Sequence, residues 1–407
     1  MIETYWPDAA TRGEFARRAE EAGGTNAAFW GALPSLPERP TDGHKGTFGT
    51  ALCVGGSRGM SGAISLTGAA ALVAGAGLTR LFVPEPILET VAGFAREYTT
   101  IPGACDASGR LTSAALEAIL AEASGATALA VGPGLGRSAE ATRLVVELFF
   151  ELERPAVFDA DALNALAEAG VFGAKTEAPK KRVLTKDDAA PKESEETEKE
   201  KNGSKTGAIS GRFADRKPRG VRILTPHPGE FARLTGAKPS GDRVDRIAAT
   251  AAFAKRLERL FGDDSERENG KDAASQVKSR NELRAESTGG GSDFVVVLKG
   301  AGTVVADGSG AVCVNETGNP SLATGGSGDV LTGLVVGLLA QGAAPFDAAR
   351  SAVALHGLAA DLRSTRSSRG AVASDVVRFL PLAFDFYATA QTAARLEVND
   401  KTGLKAE

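Results

Sequence analysis

The chain has 407 residues, of which 43% are apolar and 49 are glycine, so it is long enough for one large α/β domain or two smaller ones. Its formal net charge of -4 argues against a general nucleic-acid-binding protein. The cysteines, Cys53, Cys105 and Cys313, form no CxxC pair, which favours buried thiols in a reducing cytoplasm over a disulfide framework or a zinc site. Residues 1–24 do not show a basic leader followed by an apolar core and a small-residue cleavage site, so secretion is not expected. The apolar runs 66–78 and 330–339 are too short to span a bilayer.

Two charged segments interrupt the globular pattern of the chain. Residues 175–220 and 262–293 are crowded with charge and poor in aromatic residues, a composition typical of flexible surface insertions. We therefore predict an N-terminal extension over 1–40, one domain over 41–380 that contains both disordered insertions, and a C-terminal tail over 381–407.

Outside these segments, short β-branched runs alternate with helical stretches rich in alanine and leucine. In chain order the predicted elements are strand 50–56, helix 61–77, strand 78–84, strand 126–134, helix 139–152, strand 155–161, helix 162–169, strand 221–227, strands 294–300, 302–307 and 311–316, and helices 329–341 and 346–363. This alternation predicts a mainly parallel sheet covered on both faces, with an antiparallel edge and a ligand crevice at the carboxyl ends of the strands.

The strongest functional signal is the segment "GNPSLATGGSGDVLTG" over 318–333, which leads into an apolar helix. A helix start leaves backbone N–H groups free and carries a partial positive charge, and glycines let an anion approach them closely. Asp329 lies where it can take a proton from a substrate hydroxyl, whereas the plain alternative is a helix cap. The combination predicts phosphoryl transfer to an alcohol.

Four further motifs follow predicted strands, where an α/β sheet binds its ligand. They are "VGGSRGMSGA" over 54–63, "VGPGLG" over 131–136, "ILTPHPGE" over 223–230 and "LKGAGT" over 298–303. The third motif holds His227 between two prolines ahead of Glu230, and the fourth places Lys299 before two glycines. Each has an ordinary alternative as a turn, a solvated histidine with a helix-start glutamate, or a hairpin. No GxGxxG or GxxxxGK[ST] pattern is present.

With "HKGTFG" over 44–49 and "DADALNAL" over 159–166, these motifs resemble, in order, those of the bacterial ADP-dependent NAD(P)H-hydrate dehydratases of the ribokinase-like superfamily. The similarity runs from about 44 to about 380. It implies a three-layer α/β/α fold. It also implies repair of hydrated NADH and NADPH: ADP phosphorylates the 6-hydroxyl of the S epimer, and phosphate then leaves to give NAD(P)H and AMP.

The same resemblance implies co-substrates, partners and site residues. ATP in place of ADP stays open, and Mg²⁺, a homotetramer and a separate epimerase chain are implied. The implied substrate contacts are Ala63, Gly134, His227 and Asp329, with Asp329 as the base. The implied nucleotide contacts are Lys299, Gly300, Ala301, Gly302, Thr303 and Gly328. Asp159 and Asn164 are implied in the polar wall or in capping, and His44 and Lys45 in orienting a phosphate or in a subunit contact. No metal ligand is identified.

Two alternatives remain at the level of sequence. A small-molecule kinase of the same fold, acting on a sugar, vitamin or thiazole alcohol, would use the same glycine-rich helix start and Asp329. The pairing of "TPHPGE" with "GPGLG" favours the dehydratase. A nucleotide-sensing or scaffold protein without turnover is the second alternative, and the presence of Asp329, Lys299 and His227 argues against it.

Overall fold

The structure is a computed structural model that describes residues 27–173, 213, 215–262, 292–363 and 369–402. The predicted insertions 175–220 and 262–293 fall largely outside the described residues, so their disorder stays a prediction. Residues 174–212 and 263–291 are not described, and each of these two stretches follows a helix and ends shortly before a strand of the sheet. Both therefore connect to the sheet at the amino ends of its strands.

Nine strands of the described residues form one sheet. In chain order they are β1 Thr50–Val54, β2 Leu78–Pro84, β3 Thr99–Gly103, β4 Ala128–Val131, β5 Ala156–Phe158, β6 Arg222–Leu224, β7 Phe294–Leu298, β8 Val304–Asp307 and β9 Val312–Val314. Their order across the sheet is β3-β2-β1-β4-β5-β6-β7-β8-β9. Neighbours from β3 to β7 are parallel, and β8 and β9 are antiparallel to their neighbours. The predicted parallel sheet with an antiparallel edge is confirmed.

Helices cover both faces of this sheet. In chain order they are α1 Ala27–Ala32, α2 Ser61–Val73, α3 Leu88–Ala92, α4 Leu116–Ser124, α5 Ala139–Glu151, α6 Asp161–Glu168, α7 Pro228–Thr235, α8 Arg243–Phe261, α9 Ser327–Ala340, α10 Pro345–Arg363 and α11 Ala373–Thr402. Ala51 and Cys53 of β1 face the core under α2, α9, α10 and α11, whereas Leu52 and Val54 face the core under α4, α5 and α8. Because side chains of a strand alternate between faces, three layers result.

Helices α2 and α9 pack unusually closely on one face of the sheet. A Cβ added to Gly333 would lie 2.2 Å from the carbonyl oxygen of Thr67, and one added to Gly337 would lie 2.7 Å from that of Ala71. Each contact is four residues further along both helices than the one before it, so α2 and α9 run in the same direction. Their N-termini consequently lie at the same edge of the sheet.

The C-terminal helix α11 continues through position 380, where the sequence suggested a domain boundary. Its buried Tyr387 donates a hydrogen bond to the carbonyl oxygen of Pro34 at 2.9 Å, and Gln391 donates to that of Leu33 at 2.7 Å. The described parts of the predicted extension and tail thus pack against each other on the domain. None of the helices in the described ranges combines the length and apolar character needed to cross a membrane.

Candidate active site

The sequence motifs that follow parallel strands meet at the edge formed by the carboxyl ends of those strands. The chain extends from β1 outwards to β3 and then returns to place β4 on the other side of β1. Such a reversal of strand order opens a crevice between the loops that follow the two strands. Here the loops touch through Gly56, whose N–H donates to the carbonyl oxygen of Pro133 at 2.8 Å.

Two predicted substrate contacts, Ala63 and Gly134, are brought together at this reversal. Gly134 has φ +65°, and a Cβ added there would lie 3.0 Å from the Cβ of Ala63, so only glycine allows the close approach. The hydroxyl of Thr67 lies 3.1 Å from the carbonyl oxygen of Ala63 and 3.1 Å from that of Asp329. Helix α2 therefore links the Ala63–Gly134 contact to the start of α9.

The start of α9 is formed by glycines, as the sequence predicted. Its N-cap is Gly326, with φ +89°, and Ser327 begins the helix. A Cβ added to Gly325 would meet nothing within 4 Å, and one added to Gly328 would lie 3.3 Å from the Nζ of Lys299. The structure thus places bare main chain and an ammonium group side by side, which is a suitable environment for an anion.

Asp329 lies in the first turn of α9 and is half-buried. Among the described residues no hydrogen bond is donated to its carboxylate. Burial, followed by the negative charge of Asp159, raises the pKa of Asp329 to about 7, with a smaller contribution from Asp161 and an opposing one from Lys299. A carboxylate that titrates near neutral pH and has no donor is suited to accept a proton from a substrate hydroxyl.

Asp159, Lys299 and Thr332 form a compact buried network beside Asp329. Asp159 follows β5 and is 1% exposed; one of its oxygens accepts from the Nζ of Lys299 and the other from the hydroxyl of Thr332, both at 2.7 Å. The Nζ of Lys299 also lies 3.9 Å from an oxygen of Glu230. Burial lowers the pKa of Lys299, but Asp159 and Glu230 outweigh it and the pKa is raised, so the ammonium is charged.

Ala160, directly after Asp159, has φ +52° and ψ -117° and is the non-glycine residue with positive φ among the described residues. This backbone region disfavours any residue with a Cβ and costs roughly 1–3 kcal/mol. It turns the chain sharply from β5 into α6. The strain therefore lies at the residue that follows the buried carboxylate.

His227 is the N-cap of α7 and forms a capping box with Glu230. Its Nδ1 accepts from the backbone N–H groups of Gly229 at 3.0 Å and Glu230 at 3.3 Å, so the ring proton of the neutral imidazole is on Nε2. Burial lowers the pKa of His227, and the charges of Lys299 and Arg233 lower it further. The half-exposed ring is thus a neutral hydrogen-bond donor.

Glu230 is the buried half of this capping box. Its carboxylate accepts from the backbone N–H of His227 at 2.8 Å and is 5% exposed. Burial raises the pKa of Glu230 to about 7, although Lys299 opposes this shift. The helix-start role that the sequence suggested for Glu230 is confirmed, and its contact with Lys299 adds it to the network.

The turn after β7 carries the predicted nucleotide contacts. Gly300 and Gly302 have φ +146° and +62°, and Ala301 is exposed at the tip. The hydroxyl of Thr303 donates to the carbonyl oxygen of Gly300 at 2.9 Å, which closes the turn. The turn therefore presents exposed main chain next to the ammonium group, and its role in nucleotide binding stays a prediction.

Asn164 and the "HKGTFG" segment lie outside the network formed by Asp159, Lys299 and Glu230. Asn164 accepts from Arg233 at 2.8 Å and so joins α6 to α7. It lies inside α6, whose N-cap is Ala160, and its part in the polar wall stays a prediction. His44 and Lys45 are exposed and precede β1, at the amino ends of the strands. Within one chain they lie at the edge opposite the site, so the idea that they orient its phosphate is wrong. A subunit contact there stays a prediction.

The described side chains do not form a magnesium site. Across the described ranges, no group of three or more Asp, Glu, His or Cys is arranged to hold a metal ion. Asp159 and Glu230 already share the ammonium of Lys299. A hard divalent cation prefers several free oxygen ligands, so the residues present do not fit a metal held by the protein alone.

Sequence reasoning missed the residues on α10 that support the glycine segment. Asp361 accepts from the N–H of Gly318 at 2.7 Å and from the side chain of Asn319 at 2.8 Å. The buried His356 lies 3.3 Å from the hydroxyl of Ser327, and burial lowers its pKa to about 4, which keeps it neutral. Only their helical periodicity is visible in the sequence, so nothing there distinguishes them from core residues.

The fold is a three-layer α/β/α arrangement of the ribokinase-like class, and its candidate site combines a glycine-lined helix start with a carboxylate that titrates near neutral pH. A model of the NAD(P)H-hydrate dehydratase family matches residues 51–189 and 270–382. The chain therefore belongs to the NAD(P)H-hydrate dehydratase family.

Individual relatives agree with this membership. The chain is 36% identical over 347 residues to the bifunctional NAD(P)H-hydrate repair enzyme Nnr of Moorella thermoacetica, covering 85% of this chain and 51% of that protein. It is 34% identical over 325 residues to the ADP-dependent (S)-NAD(P)H-hydrate dehydratase of Neisseria meningitidis, with 80% of each chain covered. The chain spans about half the length of several bifunctional relatives.

A solved structure gives the same result for the fold. The ADP/ATP-dependent NAD(P)H-hydrate dehydratase of Bacillus subtilis, co-crystallized with ATP and Mg²⁺, is 27% identical and superposes with a TM-score of 0.56. The match covers 89% of this chain and 97% of that one.

Proposed function

We propose that this protein dehydrates the S epimers of hydrated NADH and NADPH, using ADP to phosphorylate the 6-hydroxyl. The observation that carries the proposal is the position of Asp329: a carboxylate with a pKa of about 7 lies at a glycine-lined helix start, beside the charged Lys299. Family membership supports the substrate, and the name of the Neisseria meningitidis relative supports ADP and the S epimer.

The proposed reaction begins with transfer of a phosphoryl group. Asp329 accepts the proton of the 6-hydroxyl, whose oxygen bonds to the β-phosphorus of ADP while the bond to the α-phosphate oxygen breaks and AMP forms. The free N–H groups at the start of α9 and the ammonium of Lys299 stabilise the charge on the moving group. Holding acceptor and donor in line removes much of the entropic cost of the step.

Loss of phosphate completes the dehydration. The lone pair of the ring nitrogen expels the phosphate from C6, and loss of the C5 proton restores the C5–C6 double bond. Hydroxide leaves poorly and phosphate leaves well, which is why phosphorylation makes the elimination possible. His227 carries its ring proton on Nε2, which lies 3.4 Å from an oxygen of Glu230, and we expect this half-exposed group to hydrogen-bond an oxygen of the substrate.

The partners and conditions of the reaction form part of the same proposal. Mg²⁺ would accompany the phosphates of the nucleotide, and no step above depends on it. A separate epimerase would supply the S epimer. We expect a homotetramer in the cytoplasm, and a measured mass in solution tests the assembly.

The test is recovery of the dihydropyridine absorbance when purified protein is mixed with hydrated NADH and ADP. Recovery should require nucleotide, and parallel reactions with ADP and ATP rank the two donors. Asp329→Asn should reduce the rate roughly 1,000-fold because the base is lost, while calorimetry should still detect nucleotide binding.

Two outcomes would contradict the proposal. Phosphorylation of a sugar, vitamin or thiazole alcohol without recovery of absorbance would favour the kinase alternative. Near-normal turnover by Asp329→Asn would remove this residue from the role of base.

A further inference from the structure

We propose that Asp159 is a positioning residue of the phosphoryl-transfer site: it holds the ammonium of Lys299 beside the start of α9 and, through its own charge, controls when Asp329 can act as a base. This inference rests on the proposed function. Asp159 itself need not contact substrate.

The first step of the argument is that Asp159 connects three elements through its two oxygens. It follows β5, it accepts from Lys299 after β7 at 2.7 Å, and it accepts from Thr332 of α9 at 2.7 Å. Thr332 comes three residues after Asp329, so both side chains lie on neighbouring positions of one helix face. The buried carboxylate thereby fixes the relative position of the ammonium group and the turn that carries the base.

The second step is that the main chain holds Asp159 rigidly. Its N–H donates to the carbonyl oxygen of Val131 at 3.1 Å, and its own carbonyl oxygen accepts from the N–H of Ala162 at 3.0 Å. A Cβ added to Gly132 would lie 2.0 Å from that carbonyl oxygen, so the neighbouring loop passes as closely as glycine allows. The strained Ala160 follows directly. Such strain persists where the surrounding structure demands one geometry.

The third step is electrostatic. The charges that act on Asp329 are those of Asp159, Lys299 and Asp161. The neighbouring elements also carry His227 and Glu230 on α7, His356 and Asp361 on α10 and Asp375 on α11. Helix α2 contributes none, His356 is neutral, and Asp375 is paired with Arg378. Burial is the largest influence on Asp329, and the strongest charge acting on it is that of Asp159, which Lys299 opposes.

Asp159 and Lys299 therefore act on the base in opposite directions, which separates this proposal from a plain structural ion pair. Replacing Asp159 by asparagine removes a negative charge and also leaves the charge of Lys299 less compensated, and both changes favour the ionised form of Asp329. Replacing Lys299 by methionine removes the stabilising positive charge and favours the protonated form. A pair that stabilised the fold without acting on Asp329 would shift the pKa of Asp329 in neither variant.

The experiment titrates Asp329 directly in the full-length protein without substrates. Carboxyl ¹³C chemical shifts of aspartate-labelled protein are followed against pH, with Asp329→Asn used to assign the signal. We expect Asp159→Asn to lower the pKa of Asp329 by about one pH unit and Lys299→Met to raise it by a similar amount. Shifts in the same direction, or no shift in either variant, would overturn the proposal.

Kinetics give the second readout. Ionised Asp329 is the active form, so kcat/KM rises with pH through its pKa, and this acid limb should move to lower pH in Asp159→Asn and to higher pH in Lys299→Met. Thr332→Val keeps both charges but frees one oxygen of Asp159; it should reduce kcat about 10-fold with little movement of the limb. Thr332→Ser, the matched variant that retains the hydroxyl, should recover most of this loss. Equal loss in both Thr332 variants would contradict the positioning role.

The NMR titration needs no turnover, so the two proposals fail in different ways. Opposite shifts in a protein that never restores the dihydropyridine would retain the charge control and reject the reaction. Normal dehydration by a protein in which the pKa of Asp329 does not respond to Asp159→Asn would retain the reaction and reject the charge control.

Discussion

Two buried basic side chains on neighbouring strands show how differently the two edges of the sheet are constructed. Arg222 begins β6 at the amino edge and is 0% exposed, whereas Lys299 follows β7 at the carboxyl edge and has 17% of its side chain exposed. Both carry a positive charge inside the protein. They differ in what neutralises that charge.

Arg222 is satisfied almost entirely by main chain. Its guanidinium donates to the carbonyl oxygens of Phe149, Leu152, Arg154 and Val221, around the end of α5. A cation at a helix C-terminus is favoured by the helix dipole, and fixed carbonyl groups do not titrate. Burial lowers the pKa of Arg222 to about 9, so it stays charged at neutral pH.

Lys299 lies instead beside two carboxylates, those of Glu230 and Asp329, that change protonation near neutral pH. Its ammonium contacts Asp159 and Glu230, and its charge acts on Asp329; burial raises the pKa of both Glu230 and Asp329 to about 7. At the amino edge, main-chain carbonyl groups, which do not titrate, and the negative charge of Asp293 compensate the charge of Arg222. The shared, titratable partners at the Lys299 edge leave it able to exchange protons.

The largest expected effect is a loss of stability on removal of Arg222 from the amino edge of the sheet. Arg222→Met should lower the free energy of unfolding by about 3–5 kcal/mol, because it leaves several buried carbonyl groups without donors and disturbs the packing around α5. Urea titration measures this change. Turnover per folded molecule should stay normal. Arg154→Met, which removes a more exposed arginine nearby, is the matched control and should cost less than about 1 kcal/mol. A loss of similar size in both variants would contradict the comparison.

The next effect separates activity from stability at the functional edge. The double variant Asp159→Asn with Lys299→Met removes both charges of the pair, and replacing a whole buried pair is often neutral for stability. We expect the free energy of unfolding to stay within about 1 kcal/mol of the original. The rate should fall at least roughly 100-fold, because the ammonium that we propose to stabilise the moving phosphoryl group is absent. A large stability loss with retained rate would reverse the assignment of this edge.

The smallest effect tests the strain beside Asp159. Ala160→Gly should raise the free energy of unfolding by about 1 kcal/mol, since relief of the unfavourable φ outweighs the flexibility that glycine adds to the unfolded chain. Thermal unfolding measures it. Ala121→Gly, at an exposed position inside α4, is the control and should lower stability by about 1 kcal/mol. A destabilised Ala160→Gly would show that the turn is not strained.

Much of the sheet was predictable because buried parallel strands form continuous apolar runs bounded by turns. Strand β2 has the predicted bounds 78–84, and β7 is buried at every position. Strand β3 was missed because "TTIPG" is short, only partly buried and contains proline. Helix α8 was missed because its many charged residues lie next to the second charged segment, where composition indicates disorder.

The site was predictable in its main-chain elements and not in its contacts. The glycines before Asp329 predict a helix start, and the prolines around His227 predict a rigid turn, from local sequence alone. The bond between Lys299 and Asp159 joins residues 140 positions apart and depends on the order of β5, β6 and β7 in the sheet. Thr332 acquires its partner only when α9 packs against β5. The local periodicity of the sequence contains no information on the contact of Asp159 with Lys299 or on its contact with Thr332.

The two stretches of chain between α6 and β6 and between α8 and β7 both join the sheet at the amino ends of its strands. The described residues that flank these stretches therefore lie at the edge opposite Asp329 and Lys299. Changes of chain length there add only slowly to the entropy of closing a loop. A tag or a fluorophore attached at these junctions would alter no residue of the candidate site.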